Sequence, residues 1–120
     1  MDKIAKNDNK KVLPKRKINA IKKLERQRLE KFLQDAPDSC KGAVDSIVEE
    51  LIDTKVLMAQ AKAELEVVGV TEVYTNGANQ QGTKLSTPFK ALTQLQSRYA
   101  ILHGRLVSLI VATLEGDDED

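Results

Sequence analysis

The chain has 120 residues, which is the length of one domain. Hydrophobic residues make up 41% of it, but aromatic residues only 3% and there is no Trp, so its core is aliphatic and favours helices packed along narrow seams. One cysteine excludes an internal disulfide and fits a reducing cytoplasm, and no apolar run of eighteen residues exists, so we expect a soluble protein that is neither exported nor inserted in a membrane.

The net charge of +1 hides a separation of charge along the chain. Residues 1–33 hold twelve Lys or Arg against four Asp or Glu, a local net charge of +8. Residues 34–120 hold seven against fourteen, a local net charge of −7. This separation predicts a basic segment that contacts a polyanion and an acidic body that repels one; the alternative is a solvated tail that aids solubility.

The first 36 residues predict a flexible basic arm followed by a basic helix. Residues 1–14 lack periodicity and end in Pro14, which indicates an unstructured arm. Residues 15–36 follow the helical period, and one face carries the apolar residues Ile18, Ile21, Leu29, Phe32 and Leu33. Pro37 then ends the helix, and Asp38 or Ser39 can cap the next one.

Two long helices, residues 42–68 and 88–114, are predicted to form an antiparallel hairpin. Both carry apolar residues in alternating steps of three and four, the pattern of a heptad seam. The seams comprise Val44, Ile47, Leu51, Thr54, Met58, Ala61, Leu65 and Val68 on the first helix, and Leu92, Leu95, Tyr99, Leu102, Leu106, Leu109 and Thr113 on the second. Further apolar side chains, at Val56, Leu57, Ile101 and Ile110, predict self-association. Residues 115–120 form an acidic tail.

The tip loop, residues 69–87, is long for a link between two helices. Gly69 can end the preceding helix in a left-handed conformation, and Thr87 can cap the following helix with Pro88 at its first position. The Asn76–Gly77 pair favours a tight turn, so an ordered loop is expected, in which a short two-stranded hairpin remains open. Such a loop would pack on a neighbouring subunit or partner.

A distinctive set of residues lies in residues 50–102, roughly the second half of the chain: Gly69, Val70, Thr71, Glu72, Tyr74, Asn76, Gly77, Asn79, Gln80, Gly82, Thr83, Lys84, Ser86, Pro88 and Tyr99. With these residues the segment resembles the small subunits of bacteriophage terminases, which habitually show a long helix, a "GV-T-E-Y-NG-NQ-GT-K-S-P" loop and a second helix with a central Tyr. Two positions depart from the pattern: Val73 replaces a polar residue, and Thr87 separates Ser86 from Pro88.

The resemblance implies a non-enzymatic DNA-packaging protein in the host cytoplasm. Such subunits bind double-stranded viral DNA, assemble as homo-oligomeric rings and deliver the genome to a large subunit with ATPase and nuclease activities. The absence of a G-x-x-x-x-G-K-[ST] phosphate loop fits this division of labour. Under this interpretation the oligomer or partner contacts are Val70, Tyr74, Asn76, Gly77, Gly82, Lys84 and Tyr99.

The basic arm and helix supply the candidate DNA-binding residues, because Lys and Arg neutralise phosphates and release counterions. They are Lys10, Lys11, Lys15, Arg16, Lys17, Lys22, Lys23, Arg26, Arg28 and Lys31. No helix-turn-helix is evident, so the sequence does not predict base-specific contacts. The competing interpretation of these residues is a solvated helix face.

Other candidate sites are weaker. His103 has no evident catalytic partner, Cys40 is single, and the carboxylates at Asp45, Glu49 and Asp53 lie on the wet side of an amphipathic helix. We therefore predict no catalytic residue, metal or cofactor. The main alternative function is a phage-encoded helical protein that regulates a host or phage protein without binding DNA.

Overall fold

A computed structural model describes residues 12–75 and 81–117, with the backbone alone at Tyr74, Thr75, Gln81 and Asp117. The described elements, in chain order, are α1 (Lys15–Asp35), a single 3-10 turn (Asp38–Cys40), α2 (Lys41–Val68), β1 (Thr71–Thr75), β2 (Gln81–Leu85) and α3 (Thr87–Asp117). The predicted all-α class, with a basic helix followed by a long helical hairpin and an ordered tip, is confirmed.

Prolines set both ends of α1. The Pro14 carbonyl accepts hydrogen bonds from the amides of Lys17 and Ile18 at 2.9 and 3.0 Å, which starts the helix. Pro37 disfavours helical torsions at the residue before it, and Ala36 is accordingly extended. The helix therefore ends at Asp35, one residue before the predicted end.

α2 and α3 pack along the two predicted seams. Val44, Leu51 and Leu106 are fully buried, and Met58 and Leu92 form a second apolar cluster nearer the tip. α2 ends at Gly69, whose φ of +88° a residue with a Cβ rarely adopts and whose amide donates to the Leu65 carbonyl at 2.7 Å.

The tip contains the antiparallel hairpin that the sequence left open. β1 and β2 pair with Thr71 opposite Leu85 and Val73 opposite Thr83. The Ser86 amide donates to the Val70 carbonyl at 2.8 Å, which continues the pairing to the start of α3. Ser86 is fully buried and its Oγ accepts the Phe89 amide at 3.3 Å, so Ser86, rather than the expected Thr87, caps α3.

The predicted surplus of apolar surface is present at two of its four positions. Leu57 and Ile101 are 53% and 56% exposed. Val56 is half-buried. Ile110 is buried, which corrects the prediction for that residue: it belongs to the core cluster that also contains Ala36 and Cys40, from the segment between α1 and α2.

Candidate nucleic-acid interface

The outer face of α1 carries positive charge along its length. At 100° per residue, Arg16, Lys23 and Lys31 lie opposite the buried side of the helix, and all three are exposed. They are seven and eight residues apart, so their Cα atoms are spaced by about 10 to 12 Å along the axis. Exposed lysine and arginine side chains arranged along a helix in this way can neutralise phosphates of a nucleic-acid backbone.

Both flanks of this outer face are also basic. Every predicted DNA-binding residue that the structure describes is exposed: Lys15, Arg16, Lys17, Lys22, Lys23, Arg26, Arg28 and Lys31. Lys10 and Lys11 lie outside the described residues. The structure thus brings eight of the predicted cations together on one helix.

Two of these cations are engaged by carboxylates of the chain itself. An Arg26 Nη lies 2.5 Å from a carboxylate oxygen of Glu49 on α2, and both side chains are about half exposed. An Arg28 Nη lies 3.5 Å from the buried carboxylate of Glu25. The other six make no ion pair with any described residue, so they are the cations most available to phosphates.

A buried carboxylate fixes α1 on the helical hairpin. Glu25 is 2% exposed, and its carboxylate accepts a hydrogen bond from the Tyr99 hydroxyl of α3. A buried charge is tolerated only when it is paired and hydrogen-bonded, and Arg28 and Tyr99 provide both interactions. This contact sets which side of α1 faces solvent, and hence where the basic face points.

Aromatic rings and a lysine complete this junction of three helices. Phe32 of α1 meets His103 edge-on at 5.5 Å between ring centroids, and Tyr99 stacks on His103 at 6.3 Å. The Lys55 ammonium of α2 lies 5.1 Å from the Tyr99 ring centroid. Burial raises the pKa of Tyr99 to about 12, with the hydrogen bond and negative charge of Glu25 acting in the same direction and Arg28 opposing them.

Sequence reasoning missed Glu25, although a signal was present. Glu25 lies four residues after Ile21 and four before Leu29, so it occupies a position within the apolar face of α1. An acidic residue at such a position needs a buried partner. The partner, Tyr99, is 74 residues away along the chain, and the helical period alone does not identify it.

The predicted oligomer or partner contacts fall in two places. Tyr99 lies in the three-helix junction, where it contacts residues of its own chain. Val70, Gly82 and Lys84 belong to the tip, and Val70 is 48% exposed. Tyr74 lies in β1, where only its backbone is described. Asn76 and Gly77 lie outside the described residues.

The tip hairpin exposes one uncharged face. The side chains at Thr71, Val73, Thr83 and Leu85 alternate onto the same side of the two strands, and all four are exposed. Val73 is 70% and Leu85 45% exposed. An isolated two-stranded hairpin is marginally stable in water, so a surface of this kind is suited to packing against another molecule.

Each of the remaining candidates is either packed, paired or exposed to solvent within the described part of the chain. Cys40 is buried, His103 packs between two aromatic rings, and Glu49 is paired with Arg26. Asp45 and Asp53 are exposed. Among the described residues, no three His, Cys, Asp or Glu side chains are grouped as a metal site would require. In that same part of the chain no helix is both long and apolar enough to cross a membrane.

Comparisons with known proteins give no assignment. No protein-family model, no curated protein and no solved structure matches the chain.

Proposed function

We propose that the chain is the small subunit of a bacteriophage terminase. In this role it binds double-stranded viral DNA, forms a homo-oligomeric ring in the host cytoplasm, and delivers the DNA to a large subunit that carries the ATPase and nuclease activities. The subunit itself has no enzymatic role. The carrying observation is the exposed basic face of α1, with six cations that no described carboxylate engages.

The division of the molecule supports this proposal. α1 presents the cations, while α2, the tip hairpin and α3 form the helical hairpin on which α1 packs, and the tip and α3 expose apolar side chains. A basic face attracts phosphates without regard to sequence, and exposed apolar surface drives association between protein chains. The tip sequence adds the resemblance to terminase small subunits described above.

DNA binding is tested by a charge-neutralising variant and a matched control. Arg16→Gln, Lys23→Gln and Lys31→Gln together should weaken binding to duplex DNA and reduce the slope of log K against log salt by roughly three. The control replaces the exposed residues Lys41, Lys90 and Arg105 by Gln, which removes the same charge elsewhere. Equal affinities of the two variants, measured by fluorescence anisotropy, would refute DNA binding through α1.

Assembly and partner binding are tested separately. Light scattering should show an oligomer, and a terminase large subunit should be retained by the immobilised chain. A chain that stays monomeric and ignores duplex DNA at low salt, or that hydrolyses ATP alone, contradicts the proposal.

The alternative, a helical regulator that binds a protein and not DNA, is favoured by one observation. Glu49 and Glu25 draw Arg26 and Arg28 into contacts within the chain, which lowers the charge available to phosphates. Binding to a host or phage protein, undiminished by the Arg16, Lys23 and Lys31 substitutions and without affinity for DNA, would establish this alternative.

A further inference from the structure

A groove opens between α2 and α3 on the side of the hairpin away from α1. Its volume is about 450 Å³, and it is lined by Glu50 of α2 and by residues of α3 that include Arg98, Ile101 and Arg105. His103, which packs on α1, lies about 160° around α3 from Ile101 and from Arg105. The groove is therefore open to another molecule while α1 keeps its place on the opposite side.

The groove is apolar in its middle and positively charged on both sides of that middle. Ile101 is 56% exposed there, and residues 87–114 of α3 contain no Asp or Glu. An Arg98 Nη lies 3.2 Å from a carboxylate oxygen of Glu50, but a guanidinium has five N–H donors and can bind a second carboxylate. Arg105 makes no ion pair with any described residue. Such a groove fits a helix with an acidic face.

The chain itself carries a helix of this kind. Asp45, Glu49 and Asp53 follow one another in steps of four along α2, and all three are exposed. They are called here the acidic ridge. At 100° per residue, the acidic ridge faces away from Leu51 and Met58, the side of α2 that packs on α3. Glu49 is paired with α1, whereas the two aspartates make no ion pair with any described residue.

The spacing of charge agrees between the acidic ridge and the groove. The carboxylates of Asp45 and Asp53 are eight residues apart, or about 12 Å along the helix axis. The guanidiniums of Arg98 and Arg105 are seven residues apart, or about 10.5 Å. An antiparallel approach of the two helices therefore places one aspartate at each arginine.

The acidic ridge and the groove also lie at the same height along the hairpin. Two contacts measure the height of α2 relative to α3: the ion pair of Glu50 with Arg98, and Lys55 over the Tyr99 ring. Counted from either contact at 1.5 Å per residue, each aspartate of the acidic ridge is within about 6 Å of the height of its arginine. Aspartate and arginine side chains span that difference.

Equal height is the condition for a contact in a ring whose axis runs along the hairpin, because every residue then keeps its height from copy to copy. The acidic ridge and the groove are different faces, so each copy offers one to each neighbour. Such a heterologous contact closes into a ring when its rotation allows. Each chain in a ring makes the contact twice, so a single contact needs less affinity than an isolated dimer.

We propose that neighbouring copies of the chain lie side by side, with the acidic ridge of one in the groove of the next, so that Asp45 faces Arg105 and Asp53 faces Arg98. This inference rests on the homo-oligomer of the proposed function and names the interface that builds it.

Charge reversal tests the contact. The ridge variant, Asp45→Arg with Asp53→Arg, and the groove variant, Arg98→Glu with Arg105→Glu, each bring like charges together. In sedimentation equilibrium at low salt, either variant alone should raise the dissociation constant at least tenfold. A mixture of the two should assemble again, since the altered faces are complementary between variants. Because each variant must be folded to assemble in the mixture, this recovery also controls for misfolding.

The matched control is Glu30→Arg with Asp35→Arg, which makes the same change of charge at exposed positions of α1. It should leave the dissociation constant unchanged. Equal losses in the control and the ridge variant would refute the contact, and so would a mixture that assembles no better than its components.

Cross-linking distinguishes a heterologous contact from a two-fold one. Glu49→Cys and Ile101→Cys, combined in one chain and treated with a short bismaleimide, should give a ladder of dimers, trimers and larger species. The two single variants mixed should stop at dimers, and neither should cross-link alone. Cys40 is buried, and the unsubstituted chain controls for it. Products of the double variant that end at the dimer would refute the heterologous contact.

The outcomes separate this interface from the proposed function. An oligomer that ignores both charge reversals overturns the interface and leaves the proposed function intact, whereas a chain that stays monomeric removes the ring as well. DNA affinity reports on the nucleic-acid part independently. Since Arg105 is also replaced in the DNA control, the DNA variants are compared in the background of Ile101→Asp, which sets a carboxylate against the acidic ridge and blocks assembly in every sample.

Discussion

The Tyr99 hydroxyl donates a hydrogen bond to the buried carboxylate of Glu25, which joins the middle of α3 to the middle of α1. α1 packs mainly on α2, and this hydrogen bond also joins it to α3, the other helix of the hairpin. Because Glu25 faces inward, Arg16, Lys23 and Lys31 face outward. The direction in which the basic face points therefore depends on the hydrogen bond between Tyr99 and Glu25, neither of which carries a positive charge.

Removal of the Tyr99 hydroxyl should destabilise the chain. Tyr99→Phe leaves the Glu25 carboxylate buried without this donor, which costs about 1 to 3 kcal/mol in the free energy of unfolding. Chemical denaturation followed by circular dichroism measures it. The double variant Tyr99→Phe with Glu25→Leu removes both polar groups and should recover part of the loss. If Tyr99→Phe is as stable as the original chain, the hydrogen bond does not hold α1 in place.

High pH should weaken the same contact. The pKa of Tyr99 is raised to about 12 in the folded chain, chiefly by burial, whereas the pKa of a tyrosine in an unfolded chain is about 10. The folded state therefore holds this proton more tightly, and the resulting stabilisation is fully present below pH 10 and is lost as the pH rises from about 10 to 12.

The measurement is the midpoint of unfolding as a function of pH between 9 and 12, on the original chain and on Tyr99→Phe. Lysine deprotonation affects both, so the difference between the two curves isolates Tyr99. The unfolding midpoint of the original chain should exceed that of Tyr99→Phe by less and less as the pH approaches 12. A difference that is constant with pH would show that Tyr99 titrates normally.

The helical hairpin was predictable because its signal repeats. Each apolar position of α2 and α3 recurs every three or four residues over about seven turns, so one misplaced residue does not change the pattern. Gly69 was recognisable as the end of α2, because few residues other than glycine adopt the positive φ angle with which a helix commonly ends.

The rest depended on contacts that are distant in sequence. The sequence places Ile110 beside the heptad seam of α3, at the edge of its apolar face. Ile110 is buried in a core cluster to which Ala36 and Cys40, from the segment between α1 and α2, also contribute. Arg26 was indistinguishable from its basic neighbours by sequence, yet Glu49 on the adjacent helix engages it. Periodicity gives the direction of a side chain relative to its own helix, whereas the identity of its partner follows from how the helices pack.

The ion pair of Arg26 makes a prediction about DNA affinity. Glu49→Gln releases Arg26, which should then contact a phosphate, tighten DNA binding about two- to fivefold at low salt and steepen the salt dependence by roughly 0.9. Glu50→Gln is the matched control, since it removes the same charge and releases Arg98 of α3, which lies away from the basic face. Anisotropy titrations at several salt concentrations provide the comparison. Equal gains from both substitutions would indicate a general charge effect with no role for Arg26.

The conformation of Gly69 predicts a difference between two glycine-to-alanine substitutions. Gly69 has φ +88° and ψ 175°, a combination that is nearly restricted to glycine, so Gly69→Ala should lower the free energy of unfolding by about 1 to 3 kcal/mol. Gly104→Ala, in the interior of α3 with open space around the added Cβ, should raise it by about 1 kcal/mol through helix propensity. Denaturant titration of both variants gives the two values. The change in Gly69→Ala arises from backbone strain alone, because the nearest atom to the added Cβ is 3.9 Å away. Equal stability of the two variants would mean that α2 can end without the left-handed residue, and that the tip hairpin can leave the helix by another path.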